Sequence, residues 1–295
     1  MREDITITRE IAPLPVRGPE AHKGDVGRIL VIGGCYNESV GMIGAPALAA
    51  NAALRSGAGL VQVMTPGTLR APVATLAPCA TTRTLPETAA EILASARDFQ
   101  ADVIAIGPGL GDSISAHTIV EVVQGFGGGM VLDADALNLL ATLPPFDIPL
   151  PHRVVLTPHP GEAKRLLTAR NIDQPTDHTP TARRAAACAL NQSYGCVIVL
   201  KGHGTVVTNG DRLYTNETGN AGMATAGTGD VLTGVVAALI GQHMAPFEAA
   251  ILGVYLHGLA GDYAAEELGL WSLTASDLLE FLPEAFSEHD MSRTE

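Results

Sequence analysis

Six short runs of branched aliphatic residues punctuate the chain, at 29–32, 60–64, 103–106, 130–132, 154–156 and 197–200, and a turn containing Gly, Pro or Asp follows each one. Runs this short, with no polar alternation, predict strands buried on both faces. Between them lie alanine-rich segments with helical spacing, at 45–56, 88–99, 117–124, 161–169 and 181–194. Repeated alternation of strand and helix predicts a mainly parallel sheet with helices on both faces, and it places ligands at the carboxyl ends of the strands.

The rhythm changes after residue 204. Residues 205–208 and 212–215 flank Asn209, Gly210 and Asp211, a hairpin signal, so a small antiparallel edge is expected there. Three helices are expected to follow, at 230–241, 246–268 and 276–286, the last introduced by Thr274 with Asp277 three residues on, as in a capping box. The polar stretch 171–180 reads as a mobile surface loop and the tail from Glu288 as frayed. No repeat or long linker interrupts the pattern, and the 46% hydrophobic content of the 295 residues is enough for a large core.

Charge and cysteine usage narrow the function. A net charge of −13 argues against a nucleic-acid or anionic-membrane surface, because such surfaces need an excess of Lys and Arg. A phosphate ligand would then be held locally, by backbone N–H groups and the dipole of a helix N-terminus. The 32 glycines suit that route. The four cysteines form no C-x-x-C pair, which fits a reducing cytosol, and residues 1–10 have neither the basic nor the apolar region of a signal peptide. No apolar run reaches the roughly 18–20 residues that span a bilayer. The candidates at 231–241 and 249–260 carry Gly or His and read as buried helices.

Glycine-rich turns follow two of the strands, at 107–111 and at Lys201, Gly202, His203, Gly204 and Thr205. Either turn alone could be an ordinary tight connection. The strongest segment is 219–230, ending Ala226, Gly227, Thr228, Gly229, Asp230 and running straight into an apolar helix. Backbone amides at such a point make an anion hole of the kind a transferring phosphoryl group needs. Asp230 would stand beside that phosphate, or would be a plain helix N-cap.

The segment 219–230 resembles the signature of the ribokinase-like superfamily, and 220–234 resembles the NAD(P)H-hydrate dehydratases within it. Further matches lie at 23–27, 44–60, 107–111, 133–138 and 157–162, so the resemblance covers roughly residues 20–285. It implies a single ribokinase-like domain, a three-layer α/β/α sandwich, with no room before position 20 for the epimerase domain often fused to this family. It also implies a reaction: phosphorylation of the ring hydroxyl of hydrated NADH or NADPH (the S-epimer) at the expense of ADP, or less expectedly ATP, followed by loss of phosphate, with Mg²⁺ as cofactor. Phosphate leaves far more readily than hydroxide, and the ring nitrogen can push electrons as the C–O bond breaks. By the same resemblance Asp230 is the general base, Ala226, Gly227, Thr228 and Gly229 form the anion hole, Lys201 to Thr205 and Gly229 hold the nucleotide, and Ala45, Gly111, His159 and Asp230 contact the hydrated dinucleotide. A cytoplasmic homotetramer is implied as well.

Several alternatives accompany these expectations. His159 could be a turn histidine satisfied by backbone, Lys201 a plain exposed lysine, and Asp133 and Asp135 residues that order the turn around Asn138 or help hold Mg²⁺ through water. The absence of G-x-x-x-x-G-K-[S/T], of H-E-x-x-H and of Cys/His ligand spacing weighs against a P-loop enzyme or a structural zinc site. The turn at 107–111 lacks the spacing of a dinucleotide fingerprint. A vitamin-precursor or sugar kinase of the same superfamily is the competing enzyme. A non-catalytic nucleotide-binding module could dispense with Asp230.

Overall fold

The computed structural model describes residues 5–36, 40–144, 150–174 and 179–291. In chain order its strands and helices are β1 (Thr6–Ile7), β2 (Arg28–Ile32), β3 (Cys35–Tyr36), β4 (Gly41–Met42), α1 (Gly44–Arg55), β5 (Leu60–Thr65), α2 (Arg70–Leu76), β6 (Thr81–Thr84), α3 (Ala89–Phe99), β7 (Val103–Ile106), α4 (Ala116–Gly125), β8 (Gly129–Leu132), α5 (Asp135–Leu140), β9 (Val154–Leu156), α6 (Pro160–Ala169), α7 (Pro180–Tyr194), β10 (Val197–Leu200), β11 (Val206–Thr208), β12 (Arg212–Thr215), α8 (Thr228–Gly241), α9 (Pro246–Leu268) and α10 (Ala275–Met291). The six aliphatic runs are β2, β5, β7, β8, β9 and β10.

Ten strands form one sheet in the order β1-β12-β11-β10-β9-β8-β7-β2-β5-β6. Every neighbouring pair is parallel except the two made by β11, so β11 alone runs against the rest. Alternate residues of one strand enter different cores. Ile29 and Val31 pack with α1, α8, α9 and α10, while Leu30 and Ile32 pack with α3 to α7. This double burial is why the strands carry unbroken aliphatic runs. From β2 the chain first builds outward to β5 and β6, then returns to place β7 on the other side of β2. Order reverses there, and the crevice above the carboxyl ends of β2 and β7 is where open α/β sheets bind ligands.

The structure corrects three expectations and adds one element. The hairpin β11–β12 is present, but it is not the edge, because β1 adds in parallel to β12. A second, two-stranded sheet, β3 with β4, follows β2 and went unforeseen. The last helix runs on to Met291, and His289 is 5% exposed with its Nε2 2.9 Å from the Ala12 carbonyl, so the helix continues past Glu288 and is docked at His289 rather than frayed there. Helix α8 begins at Thr228, not at Asp230. The Thr274–Asp277 box is formed, with the Thr274 N–H donating to Asp277 Oδ2 at 2.7 Å. Of the expected loop at 171–180 and the tail, residues 175–178 and 292–295 lie outside the described residues. Among the described residues no helix is long and apolar enough to cross a membrane.

Small residues let α1 and α8 meet closely. A Cβ on Gly234 would lie 2.1 Å from the Ala49 carbonyl oxygen and 2.8 Å from the Ala52 Cβ, and Ala49, Ala50, Ala52 and Ala53 are all fully buried. In an open helix Gly→Ala gains about 1 kcal/mol of propensity. Here the added methyl meets backbone that can yield only by moving a helix, and overpacking costs about 1–3 kcal/mol or more. Gly234→Ala should therefore lower the denaturant midpoint despite its better propensity. A midpoint equal to or above the parent's would contradict the close approach.

Candidate active site

The carboxyl ends of β7, β8, β9 and β10 converge beneath the first turn of α8. The residue following β8 is Asp133, 1% exposed. Its Oδ1 accepts from Lys201 Nζ at 2.5 Å, and its Oδ2 accepts from the hydroxyl of Thr233 at 2.7 Å. Lys201 follows β10 and Thr233 lies inside α8, so one carboxylate ties two strands and a helix together. Lys201 is 17% exposed in its side chain and has a second carboxylate, Glu162 Oε2, at 4.0 Å. Burial alone would lower its pKa, but the charges of Asp133 and Glu162 outweigh burial and raise it. Lys201 is therefore held as an ammonium. It is not the plain exposed lysine weighed above.

The glycine turn closes over this pair. Gly227 has φ +93° and acts as the N-cap of α8, and a Cβ there would meet Leu48 and Ala275 at 2.7 and 2.9 Å, so both conformation and space require glycine. The Thr228 hydroxyl donates to the Met223 and Thr225 carbonyls, closing the loop on itself. A Cβ on Gly229 would stand 3.1 Å from Lys201 Nζ. The first N–H groups of α8 have no intrahelical acceptor, and they sit beside the ammonium.

Asp230 is the third residue of α8, so it does not cap the helix. Its carboxyl is pushed up from 3.8 to about 7, first by burial and then by the charge of Asp133, with Lys201 opposing. Glu162 is raised to about 7 as well, again mainly by burial, with Lys201 opposing and Asp133 reinforcing. Two carboxyls poised near neutrality around one buried ion pair are a common mark of a catalytic site.

Helix α9 splints the segment that leads into the turn. Asp262 accepts from the Gly219 N–H at 2.8 Å and from the Asn220 side chain at 2.9 Å, and the Thr218 hydroxyl donates to the Tyr255 carbonyl at 2.9 Å. His257 Nε2 lies 2.9 Å from the Thr228 carbonyl. A carbonyl can only accept, so Nε2 carries the hydrogen. Burial depresses His257 to about 4, which keeps it neutral.

The other anticipated residues fall in two places. Gly202, His203, Gly204 and Thr205 form the turn after β10, beside Lys201, and Ala226 is exposed at the mouth of the glycine turn. Ala45 lies in the first turn of α1, against Gly109. Gly111 donates its N–H to Asp135 Oδ2 at 2.9 Å, with Cys35 packed against it. His159 is the N-cap of α6: its Nδ1 accepts from the Gly161 N–H at 2.9 Å, and its Nε2 is 3.3 Å from Glu162 Oε1. The cap takes up Nδ1, while about half of the side chain (51%) stays exposed. Sequence reasoning passed over Glu162, Thr233, His257 and Asp262. The available signal for Thr233 and His257 was a polar residue inside an otherwise apolar helix.

The family profile described as NAD(P)H-hydrate dehydratase matches residues 29–284. The chain is 43% identical over 281 residues to the bifunctional NAD(P)H-hydrate repair enzyme Nnr of Moorella thermoacetica, covering 92% of this chain and 51% of that one. It thus spans about half the length of such relatives. It is 38% identical over 265 residues to the ADP-dependent (S)-NAD(P)H-hydrate dehydratase of Neisseria meningitidis serogroup B, covering 86% of this chain and 82% of that one. Among solved structures, the ADP/ATP-dependent NAD(P)H-hydrate dehydratase of Bacillus subtilis, co-crystallised with ATP and Mg²⁺, superposes with a TM-score of 0.75 at 30% identity, over 94% of this chain and 95% of that one.

A carboxyl raised from 3.8 to about 7 binds a proton in the folded state that the unfolded chain has already released, so its contribution to stability falls as pH rises from about 4 to 7. Removing the charge removes that penalty. Asp230→Asn should therefore be more stable than the parent at pH 8, by about 1–3 kcal/mol, with the gap shrinking as pH is lowered towards 5. Denaturant titrations at the two pH values read this out. A variant less stable at pH 8 would show that the charge of Asp230 is not strained.

Proposed function

We propose, from the premise that the chain belongs to the NAD(P)H-hydrate dehydratase family, that it dehydrates the S-epimer of hydrated NADH or NADPH with ADP as phosphoryl donor, releasing AMP and phosphate. The observation that carries the reading is Asp230, held at the amide-rich start of α8 beside the buried Lys201–Asp133 pair with its carboxyl near neutrality.

In this mechanism the Lys201 to Thr205 turn and Gly229 hold the nucleotide, and the amides of 226–229 receive the equatorial oxygens of the transferring phosphoryl group. Asp230 accepts the proton of the ring hydroxyl as that oxygen bonds to the β-phosphorus and AMP departs. The ring nitrogen then donates its electron pair as the C–O bond breaks and phosphate leaves. Loss of a proton from the adjacent carbon restores the double bond. The sum is hydrate plus ADP to reduced dinucleotide, AMP and phosphate, with the water of hydration used to cleave ADP.

Ala45, Gly111 and His159 are assigned to the dinucleotide on resemblance. For His159 the contact would have to come from outside its capping bonds. Among the described residues no group of three or more His, Cys, Asp or Glu could hold a metal. Mg²⁺ commonly arrives on nucleotide phosphates with few protein ligands, and no step above is routed through it. The proposal extends to a cytoplasmic homotetramer.

Purified protein incubated with hydrated NADH, Mg²⁺ and either ADP or ATP should restore the reduced-nicotinamide absorbance, preferentially with ADP. Recovery only with ATP would overturn the donor assignment. No recovery with either, alongside phosphorylation of a thiazole, pyrimidine or sugar alcohol, would make the protein a kinase.

Asp230→Asn should cut turnover about 100-fold to 10,000-fold while changing affinity much less. Turnover above about a tenth of the parent's would remove Asp230 from the mechanism. Because the base must be ionised, kcat/KM should fall as pH drops through about 7. A flat profile from pH 8 to 5.5 would be incompatible with that role.

Gly229→Val places a branched side chain against the Lys201 ammonium, where a phosphate belongs. It should weaken ADP binding in a folded protein, and unchanged affinity would locate the phosphates elsewhere.

A further inference from the structure

Arg183, on α7, lies behind the turn that follows β10. It is 4% exposed. Its Nη2 donates to the carbonyl oxygens of Leu200 at 2.9 Å and Lys201 at 3.0 Å. Its Nη1 stands 3.0 Å from where a Cβ on Gly202 would lie, so the guanidinium sits directly beneath the turn. Nε is buried with no partner. Among the described residues no carboxylate is within ion-pair distance of this side chain. A guanidinium stays charged, and a buried charge without a counter-ion is costly. Burial accordingly presses its pKa downward.

The carbonyls it holds also orient the turn. Across a planar trans peptide the C=O and the N–H point in opposite directions. Holding the Lys201 C=O on Arg183 therefore turns the Gly202 N–H away from it. The N–H groups of Gly202, His203 and Gly204 have no acceptor among the described residues, while Thr205 closes the turn back onto Gly202. Successive free amides of this kind form an anion-binding concavity.

We propose that Arg183 is a positioning residue for the nucleotide: it fixes the end of β10 so that the amides of 202–204 face outward, and it supplies from behind them the positive charge that the phosphates of a nucleoside diphosphate complement. This rests on the placement of the nucleotide at Lys201 to Thr205. A lock on the β10 carbonyls alone would need hydrogen bonds, which a neutral amide could also give. The charge is needed only if an anion comes to that face.

Calorimetry of ADP and of adenosine with the parent, Arg183→Gln and Arg183→Lys separates the two roles. Arg183→Gln should weaken ADP binding by about 10-fold or more and adenosine binding by less than about 2-fold, and Arg183→Lys should recover most of the ADP affinity. Equal losses for ADP and adenosine, or no loss in a folded Arg183→Gln protein, would overturn the proposal. A parent that binds no ADP would instead refute the nucleotide site itself. Should Arg183→Gln not fold, hydrogen exchange on the parent still decides: saturating ADP should slow exchange at the amides of 202–204 where adenosine does not. Unchanged exchange there under ADP would overturn the proposal.

Discussion

A carboxylate with 1% of its surface exposed is costly to bury without partners for its oxygens, and Asp133 has two, the Lys201 ammonium and the Thr233 hydroxyl. Those partners come from the end of β10 and the interior of α8. Satisfying one charge therefore fixes the height and rotation of α8 over the sheet. Two consequences follow at the surface of the crevice. The Lys201 ammonium is carried to within reach of Gly229, and the negative charge of Asp133 adds to burial in raising the proton affinity of Asp230. The proposed base and the amides proposed to bind phosphate thus depend on a residue that need touch neither ligand.

The rest of the fold serves that placement. Because β7 to β10 lie side by side in parallel, the residues after each strand emerge at one edge, and loops far apart in sequence meet there. The small residues of α1 allow α8 to lie close enough for Thr233 to reach Asp133. Helix α9 holds the incoming segment through Asp262, Tyr255 and His257, so the glycine turn that needs backbone freedom is tied down at both ends in the folded chain. Such second-layer support is what keeps amide donors aimed where charge develops.

Much of this was legible in the sequence because it depends on local pattern. Double burial writes unbroken aliphatic runs, and these located β2, β5, β7, β8, β9 and β10. Exposed amides at a helix start require glycine, and these located the turn at 227–229. What the sequence hid depends on distance in space. The strand β1 is two residues long and joins β12 from the other end of the chain, leaving no periodicity to read. Lys201 and Asp133 are separated by 68 residues, so neither could be seen to pair with the other. The role of His159 was read from its motif, and only the fold showed that the same side chain caps α6 through Nδ1. A buried Thr or His inside an apolar helix was visible as an oddity, but only the fold supplied its partner.

In the proposed reaction a phosphoryl group passes from ADP to the substrate and then leaves as free phosphate. Phosphorus NMR of a single reaction mixture, with hydrated NADH, ADP and Mg²⁺, follows every phosphorus atom at once. One AMP and one inorganic phosphate should appear for each NADH restored, with no phosphorylated organic product accumulating. NADH restored without loss of ADP, or a stable phosphoester in place of inorganic phosphate, would contradict it.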